Sequence, residues 1–351
     1  MPGNTNDFLV FAGAGGANVI SQAQYAALAA ESTGFSSGLA ASAQANKVWR
    51  QASIMASMIG QFIADNANVN VVDDGTTASL EANFILALQA VNQIKLSSNL
   101  TLYVNPSTGA DTNNGLGPTT AFRTVQAAAN AGYALYNYNQ NRLIIQLAAG
   151  TYTSPVLLSG MPVGCPVVQI LGNAASPSSY QLNITNGNAI QAVNGCNLTL
   201  TGIQLAASGS SSSFTGLGYG VIAGQAQIGV QNCILASCAT AQAVANNSGC
   251  IVLSNCTMQG TGSYGLVSQA SALLWIVGTT LTWNTPTYGL ANVYATQGGV
   301  INIVGTTCAG SAIGKRYNVD TFGMILTNGA GINLIPGTIA GTATAGQGIY
   351  Q

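Results

Sequence analysis

The chain has 351 residues, a net charge of −1 and no histidine, and only 4% of its residues are charged, against roughly 25% in ordinary globular domains. That balance excludes a basic field for nucleic acid, and the missing histidine and the absence of any Cys-x-x-Cys pair argue against a zinc site. Mean hydropathy is +0.35, yet no stretch reaches the roughly 18 apolar residues of a membrane span, so no membrane insertion is expected.

The opening "MPGNTNDFLV" has no basic region followed by an apolar core, so no secretory signal is expected. Six of the eight acidic residues (Asp7, Glu31, Asp65, Asp73, Asp74, Glu81) lie in the first hundred positions, with Lys47, Arg50 and Lys95. Here "SQAQYAALAAE", "QANKVWRQASIMASMIGQFIAD" and the stretch from Ser79 to Asn92 read as helices. Within the second, Val48, Ala52, Met55, Ile59 and Phe62 are spaced 4, 3, 4, 3, which makes a two-heptad apolar seam. Such a seam fits a helix packed inside a small domain or a helix that associates with copies of itself. Both readings stay open, because a coiled-coil assignment needs about three to four heptads.

From Leu102 to Asn105 the pattern is a strand, and from Pro106 to Thr120 a turn-rich loop. Thr124 is placed to cap a short helix from Val125 to Ala134, which would cover the open apolar end of a stacked β structure. Asp111, Asn113 and Asn114 offer oxygens, but only one is a carboxylate and the calcium-loop pattern is not met. Asx turns are the expected role, with no metal.

Beyond this point the chain repeats itself. "IVGTTL" at Ile276 returns as "IVGTTC" at Ile303, and apolar runs lead to Gly172, Gly202, Asn232, Asn255, Gly278 and Gly305 at intervals of 30, 30, 23, 23 and 27. A second phrase, beginning at Asn188, Tyr219, Gln242, Tyr264 and Tyr288, keeps step at 31, 23, 22 and 24. Short β-branched runs broken by Gly, Asn and Ser leave no room for a long helix, so each unit reads as one coil of a parallel β-helix. Right-handed crossovers are the rule for parallel strands. The residues after the anchors (Cys233, Cys256, Thr279, Thr306) form a small-residue ladder, and "SGSSSSF" from Ser208 to Phe214 reads as an extruded loop.

No Asp, Glu, Lys, Arg or His occurs from Leu143 to Gly314. The seven cysteines, an odd number mostly within rung strands, read as reduced structural thiols made in a cytoplasm. Charge returns at Lys315, Arg316 and Asp320, followed by β-prone runs too short to stand alone, which need the last rung or neighbouring chains. The reading is therefore all-β, a right-handed parallel β-helix (solenoid), with a helical region at 1–95, an entry and capping segment at 96–142, the β-helix at 143–314 and a carboxy-terminal segment at 315–351.

Several stretches resemble a known family. "YVNPSTGADTNNGLGPTTAFRTVQAA" followed by "IIQLAAGTY" is similar to the entry of the pectate-lyase-like β-helices of bacteriophage tailspikes and tail fibres. "NKVWRQASIMASMIGQFIAD", closing on "DDGTTASLEANFILAL", resembles the virion-attachment segment of such fibres, and "KRYNVDTFGMILTNGAGINLIPGTIAGTATAGQGIY" resembles their carboxy-terminal segment. The resemblance implies a homotrimer in the virion tail, assembled in the bacterial host cytoplasm, with tail or baseplate proteins and host surface polysaccharide as partners.

Glycan cleavage normally uses two carboxyl groups, at about 5–5.5 Å for retention or 6.5–9.5 Å for inversion, and the charge-free rungs supply neither. Asp111 and Asp320 would stand roughly 30 Å apart across about seven rungs spaced by about 4.8 Å. No catalytic residue, cofactor or metal is assigned, and the chain is expected to be a structural fibre that is not an enzyme. The alternative is a tailspike depolymerase. Tyr219, Tyr264 and Tyr288, with Trp275, Trp283 and Tyr294 nearby, are glycan-binding candidates, because aromatic faces beside amides suit sugar rings. The competing role for these tyrosines, packing at coil corners or subunit contacts, is the one repeating aromatics more often fill.

Overall fold

The computed structural model describes residues 4–38, 41–90, 94–209, 217–278 and 280–351. It divides into two compact units, Met1–Ile94 and Lys95–Gln351.

In the first unit the helices Ser42–Ala67 and Ala78–Ala90 pack together around Ile63, Ala64, Val71 and Ala87. The stretch read as one helix from Ser21 to Glu31 is instead two short pieces, Gln22–Ala26 and Ala30–Thr33. An extended amino-terminal segment lies against the long helix. Asn6 Nδ2 donates to the Ser57 carbonyl at 2.9 Å, and a Cβ on Gly60 would fall 2.3 Å from Asn6 Oδ1 and push that amide aside. The buried Lys47 ammonium lies over the Tyr25 ring at 5.9 Å.

The second unit is a parallel β-solenoid. Ten parallel strands, from Leu100–Val104 through Leu143–Leu147, Asn197–Thr201 and Cys250–Ser254 to Gly348–Tyr350, make its first face. A second face begins with Gly150–Tyr152, Tyr180–Ile184, Gln204–Ala207 and Ile234–Cys238. A third begins with Val156–Ser159, Ile190–Val193, Tyr219–Gly224 and Ala241–Asn246. The long strands Thr257–Ser268 and Thr280–Ala295 run round the corner and serve both.

The anchors now have a conformational reason. Gly202, Asn232, Asn255, Gly278 and Gly305 follow first-face strands at the turn into the second face, with φ of 66°, 51°, 52°, 93° and 77°. Glycine and asparagine are the residues that enter this left-handed region at least cost, and one of them stands at each of these five turns. Gly172 is there for space, since a Cβ would lie 2.2 Å from the Gly202 carbonyl oxygen. The next residue turns inward as a ladder. Cys233 Sγ faces the carbonyls of Gln231 at 3.2 Å and Leu200 at 3.8 Å, Cys256 Sγ that of Val230 at 3.3 Å, and Thr306 Oγ1 that of Ile276 at 3.2 Å. Thr279 and the loop from Ser210 to Phe214 lie outside the described residues.

Inside, register stacks Leu100, Leu143, Val168, Leu198, Ile228, Ile251, Leu274, Ile301 and Ile325 into one buried column. Each such side chain contributes about 1.5–3 kcal/mol by leaving water. All seven cysteines are free, and burial pushes the Cys233 thiol up to about 11 and those of Cys238 and Cys256 to about 12.

The helix Val125–Leu135 caps the first coil, burying Val125, Ala128, Ala129 and Gly132. Thr124 Oγ1 accepts from Ala127 N at 3.2 Å. Asp111 accepts from Arg123 N at 2.9 Å, Thr124 N at 2.8 Å and Thr124 Oγ1 at 3.0 Å, and Asn114 Oδ1 takes Leu116 N in an Asx turn. The rungs do not stop at Gly314. Tyr317–Val319, Gly323–Leu326, Thr342–Ala343 and Gly348–Tyr350 continue the sheets in parallel, and Tyr317 stacks on Tyr350 at 3.9 Å.

Candidate functional site

A groove of about 680 Å³ runs across the second face, lined by Asn183, Gln204, Ala206, Ser237, Gln259 and Thr261 among others. Its cause is local. Gln204 and Leu205 pair with Ile234 and Leu235, but Ala207 pairs with Cys238, so the upper strand carries one extra residue. A bulge of this kind kinks the strand and breaks the ladder. The side chains at the kink are small, Ala206 and Ala236, and the surface sinks there.

The bulge strands backbone carbonyls, and a buried amide recovers them. Gln242, with no exposed surface, donates from Nε2 to the carbonyls of Ala236 at 2.8 Å and Gln259 at 2.7 Å. Its Oε1 accepts from the Tyr288 hydroxyl at 2.5 Å. Tyr288 is thus a strut beneath the groove, and burial holds its hydroxyl well above the ordinary tyrosine range, so it stays a donor. On the wall, Ser237 Oγ accepts from Thr261 N at 3.1 Å.

This geometry revises the aromatic set. Tyr219, Trp283 and Tyr288 are 0%, 1% and 2% exposed, so these three are core residues and cannot stack on a sugar from solvent. Nor do the tyrosines form one column. Tyr219 and Tyr264 both pair with Ala241, but Tyr264 pairs with Ala291, because two register shifts precede it in the long strand. Tyr264 and Tyr294, half-buried, stack on each other at 5.2 Å on the third face. Trp275 stands apart on the outer surface of the first face, 44% exposed.

Beside the stacked pair is Asp320. Its carboxylate accepts from Tyr294 at 3.1 and 3.2 Å, Thr296 Oγ1 at 2.6 Å and Asn318 Nδ2 at 3.2 Å. Burial, foremost, and then the Asp320 charge raise the Tyr264 hydroxyl above its ordinary value.

In the amino-terminal unit, Val48, Ala52, Met55 and Ile59 face solvent, while Phe62 meets Phe84 edge-on at 6.1 Å. The core-facing row is instead Gly60, Ile63 and Ala64, displaced from the heptad row. The helix Ala78–Ala90 also shows Phe84, Ile85, Leu86 and Leu88 to solvent. No helix among the described residues is long and apolar enough to cross a membrane.

No family model matches the chain, and no curated protein matches it. Solved structures do. A pectin methylesterase from Aspergillus niger is 12% identical, with 74% of this chain and 86% of that one covered and a TM-score of 0.42. One from Erwinia chrysanthemi is 10% identical, with 73% and 93% covered and a TM-score of 0.41. The rice weevil pectin methylesterase is 16% identical, with 78% and 89% covered and a TM-score of 0.36. All four solved chains that match are pectin methylesterases, enzymes, which runs against the expectation that the chain is not an enzyme. That expectation also took the body to end with the charge-free rungs, whereas Asp320 directly follows a rung strand of the third face.

Proposed function

We propose that this chain is a carbohydrate-directed β-helix spike or fibre, a homotrimer fixed to a virion by its amino-terminal unit and presenting its rungs to a host surface glycan. The supporting observation is the contrast between the two surfaces. The amino-terminal unit exposes Met55, Ile59, Ile85, Leu86 and Leu88, an association surface that suits sister chains and tail or baseplate proteins. The rungs instead present Asn, Gln, Ser and Thr, with no charge from Leu143 to Gly314.

The test is an incubation of the full chain with host capsule or lipopolysaccharide, read for retention on the polysaccharide and for new reducing ends. Retention is the expected result. New reducing ends make the spike a depolymerase, and their absence makes it an adhesin. No retention and no cleavage on any host polysaccharide sinks the proposal.

A further inference from the structure

We propose that the second-face groove is the subsite that holds the glycan, and that its ligand class is an uncharged oligosaccharide. This inference rests on the carbohydrate reading above and adds the place and the chemistry.

The groove has the size of a small-ligand site, about 680 Å³ against roughly 300–1,000 Å³ for such sites. Its amides are unspent. The side-chain amides of Asn183, Gln204 and Gln259 bond to no other described residue. Some amides elsewhere on the solenoid are tied down: Gln146 donates to the Leu171 carbonyl, Asn197 to the Pro166 carbonyl and Asn194 to Ser159 Oγ. An amide offers two donors and an acceptor, which matches the paired donor and acceptor character of sugar hydroxyls.

The floor beneath these amides is rigid. Gln242 clamps the Ala236 and Gln259 carbonyls from below, so the groove needs little reordering to receive a chain. Charge decides the class. A uronate, phosphate or sulfate brought into the groove loses water and meets no cation, since residues 143–314 contain none. Neutral residues lose only hydroxyl hydration, which the free amides replace.

The experiment prints bacterial surface oligosaccharides, uncharged members beside uronate- and phosphate-bearing ones, and probes them with the full chain and three variants. Uncharged members should bind, Gln204→Ala and Gln259→Ala should each weaken binding about tenfold, and Ala206→Trp, which fills the groove, should abolish it. Thermal unfolding of each variant should stay at the parent's midpoint, which separates a filled groove from a misfolded chain. Unaltered binding by a folded Ala206→Trp chain, or a preference for acidic members, overturns the groove assignment while the carbohydrate reading stands. A parent chain that binds nothing on the array overturns both.

Discussion

The helix Ser42–Ala67 and the first-face strands are both rich in apolar residues, yet they place them oppositely. Rung residues such as Leu198 and Ile228 have no exposed surface, because the coils above and below complete the core within one chain. In the amino-terminal unit two helices and an extended segment enclose only a few side chains, and Met55 and Leu86 are left about half exposed. A helix apolar on most of its faces is a helix that becomes buried. Stacking of successive coils of one chain makes the solenoid self-sufficient, while the helical unit has more apolar surface than its own residues cover.

This contrast can be broken first from the solenoid side. Leu198→Ala removes a side chain clasped between Val168 and Ile228, and should lower unfolding free energy by about 3 kcal/mol in urea titrations. A loss under about 1 kcal/mol would mean that the column is not a shared core. Tyr288→Phe deletes one hydroxyl and leaves the buried Gln242 Oε1 without its donor, at a cost of about 2 kcal/mol by the same titration. Asp111→Ala strips the acceptor from the entry to the capping helix and should cost about 1 kcal/mol, with exchange at the Arg123 and Thr124 amides accelerating first. The smallest effect on folding belongs to the seam. Met55→Lys with Ile59→Glu should shift solenoid unfolding by no more than about 0.5 kcal/mol, while sedimentation shows the chain losing self-association. Unchanged sedimentation would assign the exposed row to some other partner.

How far the sequence could be read follows from where its constraints lie. The coil period is visible because five turns into the second face take a left-handed residue, and Gly or Asn stands at each, Gly202, Asn232, Asn255, Gly278 and Gly305. That Tyr288 falls out of line with Tyr219 and Tyr264 is not visible, because spacing counts residues and the two register shifts before Tyr264 do not alter the count. Equal phrases therefore bury Tyr219 and Tyr288 in different places, Tyr219 with Ile222 and Val244 beside Tyr264 and Tyr294, and Tyr288 in the main core against Trp283. The groove is written faintly, as alanines in "QLAAS" and "ILASC" where other coils carry larger side chains, and the bulge that opens it is a property of pairing. The end of the charge-free stretch suggested a boundary at Gly314, but hydrogen bonding follows β propensity, and the strand Tyr317–Val319 joins the third face with Asp320 directly after it.

The division between a self-sufficient solenoid and a helical unit that needs covering is tested most directly by amide hydrogen exchange. The measurement compares first-face amides, from Leu143–Leu147 to Cys250–Ser254, in the full chain and in a chain beginning at Lys95. Equal protection in the two is expected. Faster exchange throughout the rungs of the shorter chain, by about tenfold or more, would contradict it by showing that the solenoid depends on the helices for its stability.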